Sequence, residues 1–406
     1  MDVIYPRCAG LDVHKQTVVA CVRVAESGPP KQEVHTFQTT TSGLLALCDW
    51  LESFGVQHVA MEATGVYWKP VWHVLEGHFT QVLANAAHVK NVPGRKTDVN
   101  DATWLADLLA HGLIRASFVP PTAVQELRTL TRTRKQFVRE RGSHAQRIEK
   151  ILEDANLKLS SVISDLLGKS GRTVLKAIID GECDAQALLR HIGRVKASRA
   201  ELLEALRGRI STHHRFMLKL HLDHIDTLDK TIAQIEKEVS QGLEPFRQAA
   251  KLLSTMPGLS EVSANVVVAE IGIDMSRFAT PAHLLSWACL CPRNDESAGK
   301  RRSTRLRRGG KWLKTTLVQA AWAAIKVKGS YLQAQFHRLR ARRGAKKAII
   351  GVAASMLAAA WHMLRDGTEW HELGAAHFDR ADATKTANRL IRRLQQIGYT
   401  VQAQPA

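Results

Sequence analysis

Four carboxylates stand out by where they fall in the chain. Asp12 lies inside the first apolar, β-rich run, where a charge is unwelcome, and Glu62 ends a second such run, HVAME. Asp98 and Asp101, in KTDVNDA, are three apart at the start of a helical stretch and so share a face. Acids drawn from a strand, a strand end and a helix start suit a two-metal phosphodiester site. Mg²⁺ or Mn²⁺ needs hard oxygen ligands, and the metal pair clamps the attacking and leaving oxygens. Each acid also has a plainer reading by itself. Asp98 serves as an N-cap, Asp101 as a first-turn acid, Asp12 as an edge residue and Glu62 as a cap for the next helix. Lys15, Arg95 and Lys96 sit beside them in sequence and either hold nucleic-acid phosphates or solvate a surface.

A second set lies between residues 293 and 314. Arg293, Lys300, Arg301, Arg302, Arg305, Arg307, Arg308, Lys311 and Lys314 crowd a stretch whose glycines, Gly299, Gly309 and Gly310, allow close approach of backbone to ligand. Trp312 offers a stacking face. This charge density marks a nucleic-acid-binding segment. Ser297 lies within it, in NDESAGK. Its hydroxyl reads as a phosphate-binding group or as a nucleophile, because nearby guanidiniums would lower its pKa and neutralise a pentacovalent phosphate. Ser303 competes for the same role. MPGLS has the form of a helix-hairpin-helix turn, with Ser260 where a second glycine is usual. His213, His214, His221 and His224 offer nitrogen ligands, but His221 falls in an apolar seam and no carboxylate pattern accompanies them.

Composition agrees with a polyanionic partner. The 406 residues carry 57 Lys and Arg against 38 Asp and Glu, a formal charge of +19. Nucleic acid is the default partner for such an excess, with a membrane surface as the rival. Six cysteines without a CxxC pair point to reduced thiols in a cytosol. The N-terminal segment lacks the charged-then-apolar order of a signal peptide, so the expected location is cytoplasmic, at the nucleoid. The apolar run Ala348–Leu364 is short for a span and reads as a buried helix, leaving no membrane among the expected partners.

The elements that must position these groups are partly legible. CAGLDVH and TVVACVRV read as a hairpin turning at His14–Gln16, VHTFQ as a third strand, Thr41 to Phe54 as a helix, HVAME as a strand, GVYWKPVWHVLEG as a helix and FTQVLAN as a fifth strand. Three antiparallel strands followed by helix, strand, helix, strand is the order of an RNase H-like α/β fold. A helix from about Asp98 to His111 stops at Gly112, and Pro120–Pro121 marks a boundary. From 122 to 245, two seams stepping by three and four predict two long helices joined by an irregular stretch at 156–200, an antiparallel arm or dimerisation coil. Arg134, Arg141 and His221 interrupt these seams. The expected division is 1–120, an α/β nuclease-like domain; 121–247, a helical linker; 248–365, a mostly helical domain; and 366–406, a polar tail with one helix near Asn388–Gln396.

AGLDVHK, MEATGVYW, KTDVNDA, the PGL hairpin and CPRNDESAGKRRSTRLRRGGKWLK, in that order, resemble the IS110 (IS-one-ten) family of insertion-sequence transposases over about residues 5–365. The resemblance implies a RuvC-like N-terminal domain whose four metal-binding acids fall on Asp12, Glu62, Asp98 and Asp101, a coiled-coil linker, and a C-terminal transposase domain whose nucleophilic serine falls on Ser297. It further implies a recombinase guided by a bridge RNA that pairs with donor and target DNA, and a dimer-to-tetramer assembly with sites shared between protomers. A phosphoserine link would conserve bond energy without ATP, in keeping with the absence of a Walker-type motif. The rivals are a structure-selective nuclease using water and a non-enzymatic nucleic-acid scaffold.

Overall fold

The computed structural model describes residues 2–26, 29–63, 65–85, 89, 101–292, 295–297, 299–303, 305–307, 309–380 and 383–401. Asp98, Arg95, Lys96, Arg293 and Arg308 therefore lie outside the described residues. The chain forms two compact units, Met1–Val119 and Pro120–Ala406.

In the first unit, β1 (Arg7–Val13), β2 (Thr17–Val24) and β3 (Lys31–Gln38) form an antiparallel meander. Helix α1 (Thr41–Ser53) leads to β4 (His58–Glu62), which pairs parallel with β1, and α2 (Trp68–Leu75) leads to β5 (Thr80–Ala84), parallel to β4. The sheet order is β3-β2-β1-β4-β5. Alternation along each strand builds two faces. Leu11, Val13, Val18, Ala20, Val22, Val59 and Met61 pack beneath α1 and α2 with Leu44, Leu47, Leu51, Val71 and Leu75. Cys8, Cys21 and Ala60 face the other way, toward α3 (Asp101–Ala110), and meet Ala102, Ala106, Leu109 and Ala110. Helix α2 starts later than its sequence suggests, at Trp68, because Gly65 takes a positive φ of 56° and residues 65–67 form a turn.

The second unit opens with α4 (Thr122–Asp154), a helix of 33 residues. The stretch expected to be irregular instead holds four short helices, α5 (Leu159–Val162), α6 (Lys169–Ile179), α7 (Ala185–Leu189) and α8 (Arg199–Ala205). They enclose a core of their own, with Leu159, Val174, Ile178 and Leu188 packed on Ile148 and Leu152 of α4. Helix α9 (Thr212–Gly242) returns along α4. Arg134 pairs with Glu236 at 2.5 Å, Arg141 with Asp229 at 2.5 Å, and His144 with His221 at 3.1 Å. Rising numbers on one helix meet falling numbers on the other, so the pair is antiparallel. The polar residues that seemed to weaken the seam carry their own partners across it.

Helices α10 (Arg247–Ser254), α11 (Glu261–Ile271) and α12 (Pro281–Trp287) precede a hairpin of β6 (Asp295–Ser297) and β7 (Lys300–Ser303). Then follow α13 (Lys311–Ala324), α14 (Tyr331–Arg343), α15 (Ala345–Asp366), α16 (His377–Arg380) and α17 (Ala383–Gln396). Helix α15 is long and apolar enough to cross a membrane by composition, yet Ala348, Val352, Met356, Leu357 and Ala360 are buried within the unit. The indole N–H of Trp361 donates to the Phe278 carbonyl at 3.0 Å.

Candidate active site

The register of β1 against β4 runs Gly10 to Ala60 and Leu11 to Met61. One step further, Asp12 stands beside Glu62. Leu11 and Met61 point into the core under α1 and α2, so both acids project from the opposite face, where α3 lies. Gly10 fixes how close α3 comes. A Cβ there would sit 2.2 Å from the Ala102 carbonyl oxygen and 2.4 Å from the Ala106 nitrogen, so only glycine admits the helix backbone. Asp101 occupies the first turn of that helix. Strand register and one glycine thus bring Asp12, Glu62 and Asp101 to one end of one face. Asp12 keeps 24% of its side-chain area exposed, with Oδ2 3.2 Å from His14 Nε2. Lys15 is exposed in the β1–β2 turn.

An ion pair that sequence reading missed holds α3 down. Arg23, buried on β2, donates from Nε to Asp107 Oδ1 at 2.8 Å, and Gln32 donates to the same oxygen at 3.1 Å. An arginine within TVVACVRV was the available signal. Asp12, Glu62 and Asp101 form no tight trio among the described residues. Among the described residues, the one group of three ligating atoms all within 4.8 Å is Cys48, Glu52 and His78. Mg²⁺ keeps several waters and commonly takes one or two carboxylates plus substrate phosphates, so spaced acids fit it.

In the second unit, Ser297 ends β6 and pairs with Lys300 across a turn in which Gly299 has φ 72°. Ser303, on β7, accepts from the Arg305 N–H at 3.2 Å. Lys300, Arg305 and Lys311 are exposed, and Arg307 donates to the Ser286 hydroxyl at 2.5 Å. Arg301 and Arg302 lie on β7. Trp312 is half-buried, with the guanidiniums of Arg139 and Arg132 over its ring at 5.3 and 5.9 Å. Two cations of this chain thus already stand over the ring.

The PGL turn joins α10 to α11. Gly258 has φ 83°, and a Cβ there would sit 2.2 Å from the Ala320 carbonyl oxygen of α13. Ser260 is the N-cap of α11, accepting from the Ser263 N–H at 3.4 Å, so it replaces glycine with a capping function. The expected histidine set divides. His221 and His224 meet His144 of α4, whereas His214 bonds Ser211 and Asp154.

Residues 9–156 match a family profile described as a transposase, of the DEDD type of the IS110 group, and residues 250–337 match one described as the transposase IS116/IS110/IS902 family. The chain belongs to the IS110 family of transposases. An insertion-element IS110 protein of Streptomyces coelicolor, described as an uncharacterized 43.6 kDa protein, is 26% identical over 305 residues, covering 68% of this chain and 72% of its own. An IS110-family transposase cuts and rejoins DNA, so DNA is a partner of this chain. A DEDD-type domain also suggests divalent-metal use.

Proposed function

We propose that this IS110-family transposase is a Mg²⁺-dependent, RNA-guided site-specific recombinase that exchanges DNA strands through a phosphoserine link at Ser297. The observation that carries the metal reading is the β1–β4 register, which sets Asp12 beside Glu62 on the face bearing Asp101. The sheet order, with an antiparallel meander followed by parallel β4 and β5, supports the RNase H-like reading. Asp12, Glu62 and Asp101, with Asp98, would hold the ions through hard oxygens. Divalent ions bound there supply positive charge to phosphate oxygens and favour an ionised hydroxyl.

Ser297 would attack a backbone phosphorus, forming its Oγ–P bond as the bond to a deoxyribose oxygen breaks. The hydroxyl proton leaves to solvent, and the sugar hydroxyl of the exchanged strand later reverses the step. Lys300 and Arg305 would hold the phosphate while its charge rises. Ser303 remains the competitor for this role, with its hydroxyl accepting from the Arg305 N–H. The charge of +19 supports binding of both guide RNA and DNA. The domains we assign are 1–120 for metal-dependent cleavage, 121–247 for assembly into a dimer or tetramer, 248–365 for transesterification, and 366–406 as a polar tail.

The deciding experiment is covalent trapping. Enzyme, guide RNA and labelled DNA carrying a nick are mixed with Mg²⁺, denatured and separated. Label should migrate with protein and vanish in Ser297→Ala. Label persisting in Ser297→Ala but lost in Ser303→Ala assigns the neighbouring serine. Cleavage without any protein-linked label supports a nuclease using water.

A further inference from the structure

On the far side of the sheet from the acids, α1 and the turn before β5 bring together a thiol, a carboxylate and an imidazole. Cys48 and Glu52 are four apart on α1 and share a face. Gly77, at φ 89°, reverses the chain after α2 and returns His78 toward α1. That turn is held at both sides: the His78 N–H donates to the Leu75 carbonyl at 3.2 Å, and Phe79 packs into the core under α1 and α2. The ligating atoms of Cys48, Glu52 and His78 all lie within 4.8 Å of one another. His78 Nδ1 is 2.8 Å from Glu52 Oε1. Cys48 is buried at 4% exposure, whereas the other two open to solvent.

We propose that Cys48, Glu52 and His78 bind a zinc ion, with water as the fourth ligand. One sulfur, one nitrogen and one oxygen suit a borderline-soft tetrahedral ion and reject Mg²⁺, which takes oxygen alone. Two ligands sit on a rigid helix and the third on a hydrogen-bonded turn, so small side-chain rotations close the set. Binding releases a proton: the S–H bond of Cys48 breaks as the sulfur–zinc bond forms, and the proton leaves to solvent. The ion would tie α1 to the turn that starts edge strand β5.

The test uses metal-free full-length protein with Co²⁺ as a spectroscopic probe and Zn²⁺ as a competitor. Co²⁺ should give a sulfur-to-cobalt charge-transfer band that saturates at one equivalent and is erased by Zn²⁺ but not by excess Mg²⁺. Cys48→Ser should abolish the band, while Glu52→Gln and His78→Asn should weaken affinity about tenfold or more. Zn²⁺ should raise the wild-type Tm by several degrees and leave the Cys48→Ser Tm unmoved. Cys183→Ser, at an exposed thiol elsewhere, should change nothing. The proposal fails if no band forms, if the band survives in Cys48→Ser, or if Glu52→Gln and His78→Asn, shown folded by their melting without metal, bind Co²⁺ as tightly as wild type.

Discussion

Acids in the two units are held in opposite ways. In Met1–Val119, Asp12, Glu62 and Asp101 are positioned by strand register, a helix start and the closeness of α3 to Gly10. In Pro120–Ala406, acids fasten helices. Glu270, with a side chain 3% exposed on α11, receives both Nε and Nη2 of Arg132 at 2.7 and 2.8 Å. Arg128 donates to the Ala269 and Glu270 carbonyls beside it, and burial lowers its pKa to about 10. Asp229 bridges Arg141 and Arg172 at 2.5 and 2.6 Å. The difference teaches where an acid can be removed without unfolding the chain. Loss of Asp12, Glu62 or Asp101 should cost reaction, whereas loss of Glu270 or Asp229, like that of Asp107 on α3, should cost stability.

The largest expected effect is on catalysis. Asp12→Ala, Glu62→Ala and Asp101→Ala should each lower Mg²⁺-dependent strand cleavage at least about 10³-fold, or about 4 kcal/mol of barrier, while Tm moves by less than about 2 °C. A collapse in Tm matching the loss of cleavage would erase the contrast. Next comes Glu270→Gln. Breaking a buried pair and leaving its arginines behind costs about 3–5 kcal/mol, so calorimetry should show a Tm lower by roughly 10 °C. A shift within error would mean that Glu270 fastens nothing.

Gly10→Ala tests the ground between. The added methyl would meet α3 backbone at 2.2 Å, costing about 1–3 kcal/mol and displacing Asp101. Both Tm and cleavage should fall together, and normal cleavage in the variant would uncouple α3 from the site. Asp229→Asn should cost only about 1 kcal/mol, since its pairs are partly exposed. A denaturant midpoint equal to that of Glu270→Gln would show that burial does not rank these pairs.

Smallest is a pH effect at the α4–α9 seam. Burial, with His224 and Arg147 near, holds His144 and His221 below the ordinary value of 6.5. The folded state thus binds fewer protons than the unfolded one just below pH 6.5. Stability present above that pH is lost as pH falls through the folded values. Tm should drop roughly 2 °C more between pH 7 and pH 5 than in His221→Leu. Equal slopes for the two proteins would remove the histidines from the account.

Legibility in the sequence followed the range of the physics. Short β-rich runs marked all five strands of the sheet, and the long seams marked α4 and α9, because each pattern lies within one element. Helices α5 to α8 escaped because short helices show little periodicity. Their caps were nonetheless readable: Ser198 with Glu201 is a complete capping box, and Asp184 caps α7. Helices α12 and α14 escaped too, although Thr280 before Pro281 and Ser330 before Tyr331 cap them. Three candidate acids drew notice because each sits at an odd place in its own element, inside a strand, at a strand end and at a helix start. Partners were not, since Arg23 meets Asp107, Arg132 meets Glu270 and Cys48 meets His78 only after folding.

The seam between α4 and α9 has a metric consequence. Arg134 and Arg141 are seven apart, as are their partners Glu236 and Asp229. Seven residues make nearly two turns, so matched insertions of seven in both helices preserve every facing pair and lengthen the arm by about 10.5 Å. A single inserted residue turns everything beyond it by about 100° and parts those pairs. The arm can therefore change length only in steps, each close to the rise of about three base pairs at 3.4 Å apiece.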